Sequence, residues 1–96
     1  MVNIKIDKIV YWILIGKQRK CVFRNFPEKQ ITAEELRKII NTKTSLKLSL
    51  REISRHFTSF AKKGLIKCLN PSAPYNKYYS MTSNGKKLKE RIFNLG

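Results

Sequence analysis

Acidic residues are scarce in this chain: Asp and Glu total 6 against 21 Lys and Arg, a formal charge of +15 over 96 residues. A molecule so charged repels itself unless an anion neutralises it, and nucleic acid is the leading partner class. An anionic membrane surface or an acidic protein would answer the same charge. Excess lysine also serves solubility and adaptation to heat, the bland alternative. Histidine occurs once, at His56, and the two cysteines, Cys21 and Cys68, lie far apart outside any CxxC pair. That spacing argues against a zinc site. Both cysteines read as small buried hydrophobes of a reducing cytoplasm, with a single bridge between them left open. The sequence also lacks a nucleophile–base pair, paired carboxylates and a glycine-rich phosphate loop, so neither catalysis nor a cofactor is expected.

Long hydrophobic runs are missing too. The uninterrupted apolar stretch Ile9 to Ile15 is seven residues, with Asp7 ahead of it and no small-residue cleavage site behind. It is too short to span a bilayer and lacks the layout of a secretory signal. The expectation is a soluble, cytoplasmic, nucleoid-associated protein with no membrane partner. A hydrophobic fraction of 42% and separated apolar periods predict a folded chain. At this length residues 1–96 form one domain with a modest core.

Ile6, Ile9, Val10, Ile13 and Leu14 repeat at helical spacing and predict a first helix beginning between Ile4 and Asp7. Gly16 can end it. Alternatively Lys17 to Cys21 continue the helix toward Val22, or the alternation in "CVFRNF" makes a short strand. Thr32 with Glu35 matches a capping box opening a second helix, whose face is Ala33, Leu36, Ile39 and Ile40 and which ends near Asn41. Gln30 and Ile31 can supply an extended pairing segment before it. Ser49 with Glu52 is a second capping box, starting a third helix at Leu50. A start near Ser45 would add Leu46 to its buried face. Gly64 suits the left-handed terminator. Beyond it the period changes to two, and Leu65 to Thr82 reads as a β-hairpin with the turn-rich "NPSAPYN" at its tip. "SNGKKLKERIFNL" is a closing helix with Leu88, Ile92 and Leu95 on one edge and Phe93 beside it.

The third helix, in "SLREISRHFTSFAKKGLI", has two faces. At about 100° per residue, Leu50, Ile53, Phe57, Phe60 and Ala61 share a sector and should be buried. Arg51, Arg55, Thr58 and Lys62 form a stripe pointing largely away from it, flanked by His56 and Ser59.

Three helices, a hairpin and a closing helix make a mainly α fold with a small β-hairpin, the winged helix-turn-helix order. "LREISRHFTSFAKKGLIKCLNPSAPYNKYYSMTSNGKKL" resembles the recognition-helix-plus-wing segment of MarR-type and related small archaeal winged-helix transcription regulators. The likeness lies in Ser54 and Arg55, in the junction Lys63 to Ile66, and in Thr82 with Gly85. It runs from about Thr32 to Leu88. The tip from Asn70 to Lys77 carries only Lys77 as a charge, where family members often have an arginine-rich wing. The resemblance implies double-stranded DNA as partner, with helix 49–63 in the major groove and hairpin 65–82 as wing. Arg51 and Arg55 suit guanine edges or phosphates. Ser54 and Thr58 can bond either, Ser59 flanks them, and Lys62 suits phosphate. Asn76 and Lys77 are the wing contacts. Lys17, Arg19, Lys20 and Arg24 form a second basic patch that would add affinity without sequence information.

Tyr75, Tyr78 and Tyr79 can stack on nucleic acid or brace the sheet. Trp12, Phe93 and Leu95 exceed what a small core needs and point to a homodimer, with the fold-back of the last helix on the first as the alternative. Contact with the transcription machinery is expected. Archaeal regulators of this kind include activators of motility (archaellum) operons. A non-specific architectural protein, or a winged helix that binds RNA or docks on a protein, are the competing classes.

Overall fold

The computed structural model describes residues 4–93, with side chains from Lys8 onward. The chain runs α1 (Ile4–Ile15), α2 (Lys17–Asn25), β1 (Ile31–Thr32), α3 (Ala33–Lys43), α4 (Leu50–Lys62), β2 (Ile66–Cys68), β3 (Tyr78–Met81) and α5 (Ser83–Phe93). It is mainly helical with one small antiparallel sheet, ordered β1-β3-β2. Ile31 pairs with Tyr79 and Ile66 with Met81. The extended segment expected at Gln30 and Ile31 is therefore real, shifted one residue, and turns the expected hairpin into a three-stranded sheet.

The segment after Gly16 is neither a continuation of the first helix nor a strand. Gly16 is the N-cap of a separate α2, and its carbonyl accepts from Lys20 N–H at 2.7 Å. The reason is tertiary: Val22, Phe23 and Phe26 are wholly buried, and only a helix turned away from α1 delivers all three to the same interior. The mutually packed trio is thus α2, α3 and α4, with α1 added outside and α5 against α1 and α2.

Both capping boxes form. Thr32 N–H donates to Glu35 Oε1 at 3.0 Å while Glu35 N–H donates to Thr32 Oγ1 at 3.2 Å. Ser49 and Glu52 repeat the exchange at 3.0 and 3.1 Å. Those bonds, that from the Ser49 backbone first, hold the Glu52 carboxyl below the ordinary carboxylate range. The third helix therefore starts at Leu50, not near Ser45. Leu46 still packs on the core from the linker, and Leu48 is buried, because Asn41 clamps the linker back: its side chain accepts from Leu48 N–H and donates to Leu48 O, both at 2.9 Å.

Gly64 ends α4 at φ +75°, where a side chain would be strained, and Leu65 N–H closes the turn on Phe60 O at 2.9 Å. Thr82 then ties the hairpin to this turn. Its hydroxyl donates to Gly64 O at 2.6 Å and accepts from Gly85 N–H at 3.1 Å, capping α5.

Several face assignments change. Leu50 is 46% exposed and Ala61 is exposed, so the buried side of α4 narrows to Ile53, Phe57 and Phe60. On α1, Ile13 is buried and Ile9 and Val10 pack on the core, whereas Leu14 is exposed; the roles of Ile6 and Leu95 lie outside the described side chains. Trp12 meets Phe60 edge to face at 5.9 Å, and Phe93 lies 6.4 Å from Phe23. Both aromatics are thus used inside one chain, the fold-back arrangement. Cys21 and Cys68 are both free thiols and half-buried.

Candidate nucleic-acid interface

The candidate interface centres on α4, whose capping box and glycine stop fix its ends and whose three buried residues fix its rotation. Arg51, Ser54, Arg55, Thr58 and Lys62 are all exposed, as the spacing predicts. Ser59 is half-buried on the flank away from Ser54, and Thr58 Oγ1 donates to Ser54 O at 3.1 Å while keeping its acceptor lone pairs. His56 turns inward: its ring stacks on Phe60 with centroids 6.2 Å apart and its Nε2 lies 3.4 Å from Gln18 Oε1. Burial, then the Arg19 charge, hold its pKa below the ordinary histidine value. A largely neutral His56 adds no positive charge to the stripe.

A trough of about 430 Å³ separates α4 from the hairpin loop. Leu50, Ser54 and Thr58 form one wall and Pro74, Asn76 and Lys77 the other, with Ala33 and Glu34 of α3 closing an end. The fold thus brings Ser54 and Thr58 together with Asn76 and Lys77, which lie far from them in sequence. Glu34 is the unforeseen member. Arg37 holds it with two parallel bonds, Nε to Oε2 at 2.9 Å and Nη2 to Oε1 at 2.5 Å, and this pairing lowers its pKa. Each Glu34 oxygen, already bonded to Arg37, keeps acceptor capacity for a further donor in the trough.

The hairpin loop is ordered by Asn70, also unforeseen. Its Oδ1 accepts from Tyr78 N–H at 2.8 Å, its Nδ2 donates to Asn76 O at 3.2 Å, and its own carbonyl accepts from Ala73 N–H at 3.0 Å. Asn76 takes φ +54°, a left-handed conformation that asparagine tolerates better than most residues. The three tyrosines separate accordingly. Tyr79 braces the sheet against Phe57, with centroids 4.9 Å apart, whereas Tyr75 stands 80% exposed at the tip. Asn70→Ala should release the loop without unfolding the domain. Amide exchange at Tyr78 is expected to speed up, with Thr82 and Gly85 unchanged; equal protection at Tyr78 would show that Asn70 does not hold the tip.

On α2 the expected patch divides. Lys17, Lys20 and Arg24 are exposed and share a face, together with Lys43 at the end of α3. Arg19 is on the other side: it donates to Trp12 O and its guanidinium lies 4.1 Å over the Trp12 ring, so it serves the α1–α2 junction. Arg24 also reaches the Phe93 ring, at 5.6 Å. Lys43 lies beyond the helix end that the sequence suggests near Asn41, and nothing in sequence joins it to α2. Among the described residues no three His, Cys, Asp or Glu side chains gather to hold a metal, and no helix is long and apolar enough to cross a membrane.

Comparison of the chain with protein-family models, curated proteins and solved structures returns no match.

Proposed function

We propose that this chain is a sequence-specific, double-stranded DNA-binding transcription regulator of the winged helix-turn-helix type, with α4 as recognition helix and the β2–β3 hairpin as wing. The observation that carries the reading is the uncovered stripe Arg51, Arg55, Thr58 and Lys62 on α4, beside a trough that the hairpin completes. The succession α2, β1, α3, α4, β2, β3, with the strand order β1-β3-β2, is compatible with a winged helix and supports the reading. So does size. An α-helix with its side chains is about 10–12 Å across, and the B-DNA major groove about 12 Å wide.

In this arrangement Arg51 and Arg55 take guanine edges or phosphates, and Ser54 and Thr58 bond bases or backbone from the trough side. Lys62 takes phosphate, Ser59 stands at the margin, and Asn76 and Lys77 contact sugar and phosphate from the wing. Tyr75 gives the tip an aromatic face in place of an arginine. The protein acts as a homodimer. With Trp12 and Phe93 spent internally, the surface offered to a second copy is the exposed apolar side of α1, Tyr11, Leu14 and Ile15, 67, 44 and 61% exposed.

The test is an equilibrium titration against the promoter upstream of its own gene and against scrambled duplex, at two salt concentrations. The wild type should prefer the promoter by a ratio that survives the higher salt. Arg55→Ala should cut that ratio by about 1–3 kcal/mol. Lys62→Ala should weaken both duplexes alike and reduce the salt slope by about 1. Equal binding to both duplexes, fading together with salt, would replace the regulator with a non-specific architectural protein.

A further inference from the structure

Positive charge also gathers away from the α4 trough. A second groove, of about 410 Å³, lies between α2 and the end of α3 and is lined by Lys17, Lys20, Arg24 and Lys43 with Cys21, Asn25 and Thr44. It has four cations and no carboxylate, whereas the trough has one cation, Lys77, facing one carboxylate, Glu34. We propose that this groove seats the phosphate backbone of a second DNA duplex, so that one molecule holds two duplex segments together.

The sequence of α2 makes the groove costly in the free protein. Lys17, Lys20 and Arg24 stand at i, i+3 and i+7, so like charges face one another along one side, and α2 contains no acidic residue to offset them. Lys17 and Lys20 also occupy the first turn, where the helix dipole disfavours cations. A bound polyanion relieves both penalties. Lys17 to Arg24 covers about 10 Å at about 1.5 Å per residue. Neighbouring phosphates of one strand are offset by the helical rotation as well as by about 3.4 Å of axis, so this row reaches about two of them and a polymer backbone fits better than a single phosphate.

Its position argues for a separate duplex. The trough lies at the N-terminal end of α3, at Ala33 and Glu34, and the basic groove at the opposite end, at Lys43 and Thr44. The 11 residues of α3 place these ends about 16 Å apart, and no residue lines both grooves. The proposal rests on the DNA-binding reading above for its first duplex, and the second seat is indifferent to sequence because every group in it addresses the backbone.

The experiment immobilises the promoter duplex on beads, adds protein, and measures capture of a fluorescent scrambled duplex from solution. Wild type should capture it, with release as salt rises. The K17Q/K20Q/R24Q/K43Q variant removes four positive charges and should weaken promoter binding to some degree, while capture of the second duplex falls about tenfold or more beyond that loss. The paired variants K17Q/K20Q and R24Q/K43Q should each give part of that loss, and they preserve the test if the fourfold variant does not fold. Undiminished capture by these variants would overturn the proposal, because two copies bridging through α4 would then explain it. Capture that falls only in step with promoter affinity would overturn it as well, placing the groove on the first duplex. If wild type binds the promoter but captures nothing, this proposal alone fails. If wild type binds no duplex, the regulator reading falls with it.

Discussion

Phe60→Ala should cost the protein about 3–5 kcal/mol of stability, the usual range for deleting a fully buried aromatic ring. Phe60 has no exposed surface and joins three helices: it meets Trp12 of α1 at 5.9 Å, Phe23 of α2 at 5.4 Å, and the His56 ring on its own helix at 6.2 Å. The surrounding backbone is fixed by helices on every side, so the cavity cannot close. A domain of this size has about 5–15 kcal/mol to lose, and the variant should be near its limit. Urea denaturation of both proteins measures the loss as a lower midpoint at unchanged slope. Trp12, the single tryptophan, reports locally, because its fluorescence should shift once the edge-to-face partner is removed. A loss under about 1 kcal/mol would mean that the aromatic junction is not packed as described.

Gly85→Ala should be comparably damaging for the opposite reason, too much volume. A Cβ on Gly85 would sit 2.1 Å from Leu65 O and 2.7 Å from Met81 Cγ. The methionine can rotate away. The carbonyl cannot, because it is backbone and accepts from Thr82 N–H at 2.9 Å. The start of α5 would have to lift off the hairpin, breaking the Thr82 cap and the bond from Thr82 to Gly64. The expected cost is about 3 kcal/mol, at the upper end for overpacking. The melting temperature should then fall by roughly 12–24 °C, at about 4–8 °C per kcal/mol for a domain of 60–100 residues. Thermal unfolding followed by circular dichroism measures it, and a drop below about 4 °C would show that α5 shifts at little cost. Gly64, which has nothing within 4 Å of its Cβ position, differs in kind, since only its φ constrains it.

These two sites also show where sequence reading reaches its limit. Helix starts were legible because capping is local: Thr32 with Glu35 and Ser49 with Glu52 satisfy backbone donors three residues away, whatever the rest of the chain does. Gly64 was legible for the same reason. The buried face of α4 was legible at its centre, Ile53, Phe57 and Phe60, and misjudged at its edges. Leu50 faces the trough and Ala61 faces solvent, because the width of a buried stripe depends on which elements arrive to cover it. Gly85 stands in the sequence only as a glycine three residues after Thr82, yet its need for a bare Cα comes from Leu65, twenty residues earlier in the chain.

The candidate site divides along the same line. Exposure of Arg51, Arg55, Thr58 and Lys62 followed from periodicity. Their company did not. Asn76 and Lys77 reach Ser54 and Thr58 only because the hairpin folds beside α4, and Glu34 reaches them only through the packing of α3. A run of basic residues, Lys17 to Arg24, could not reveal that Arg19 turns back onto Trp12 while Lys43 joins the others.

By itself, then, the sequence determined the sign of the charge, the capping boxes that open α3 and α4, the stop at Gly64 and the basic stripe on α4, all properties set by composition or by neighbours within one or two helical turns. The tertiary structure decided that Lys17–Asn25 is a separate helix, that a third strand completes the sheet, and that Ser54, Thr58, Asn76 and Lys77 share one groove while Lys17, Lys20, Arg24 and Lys43 share another. Those outcomes depend on which distant surfaces meet when Val22, Phe23, Phe26, Phe57 and Phe60 are removed from water together, a constraint that no local window contains.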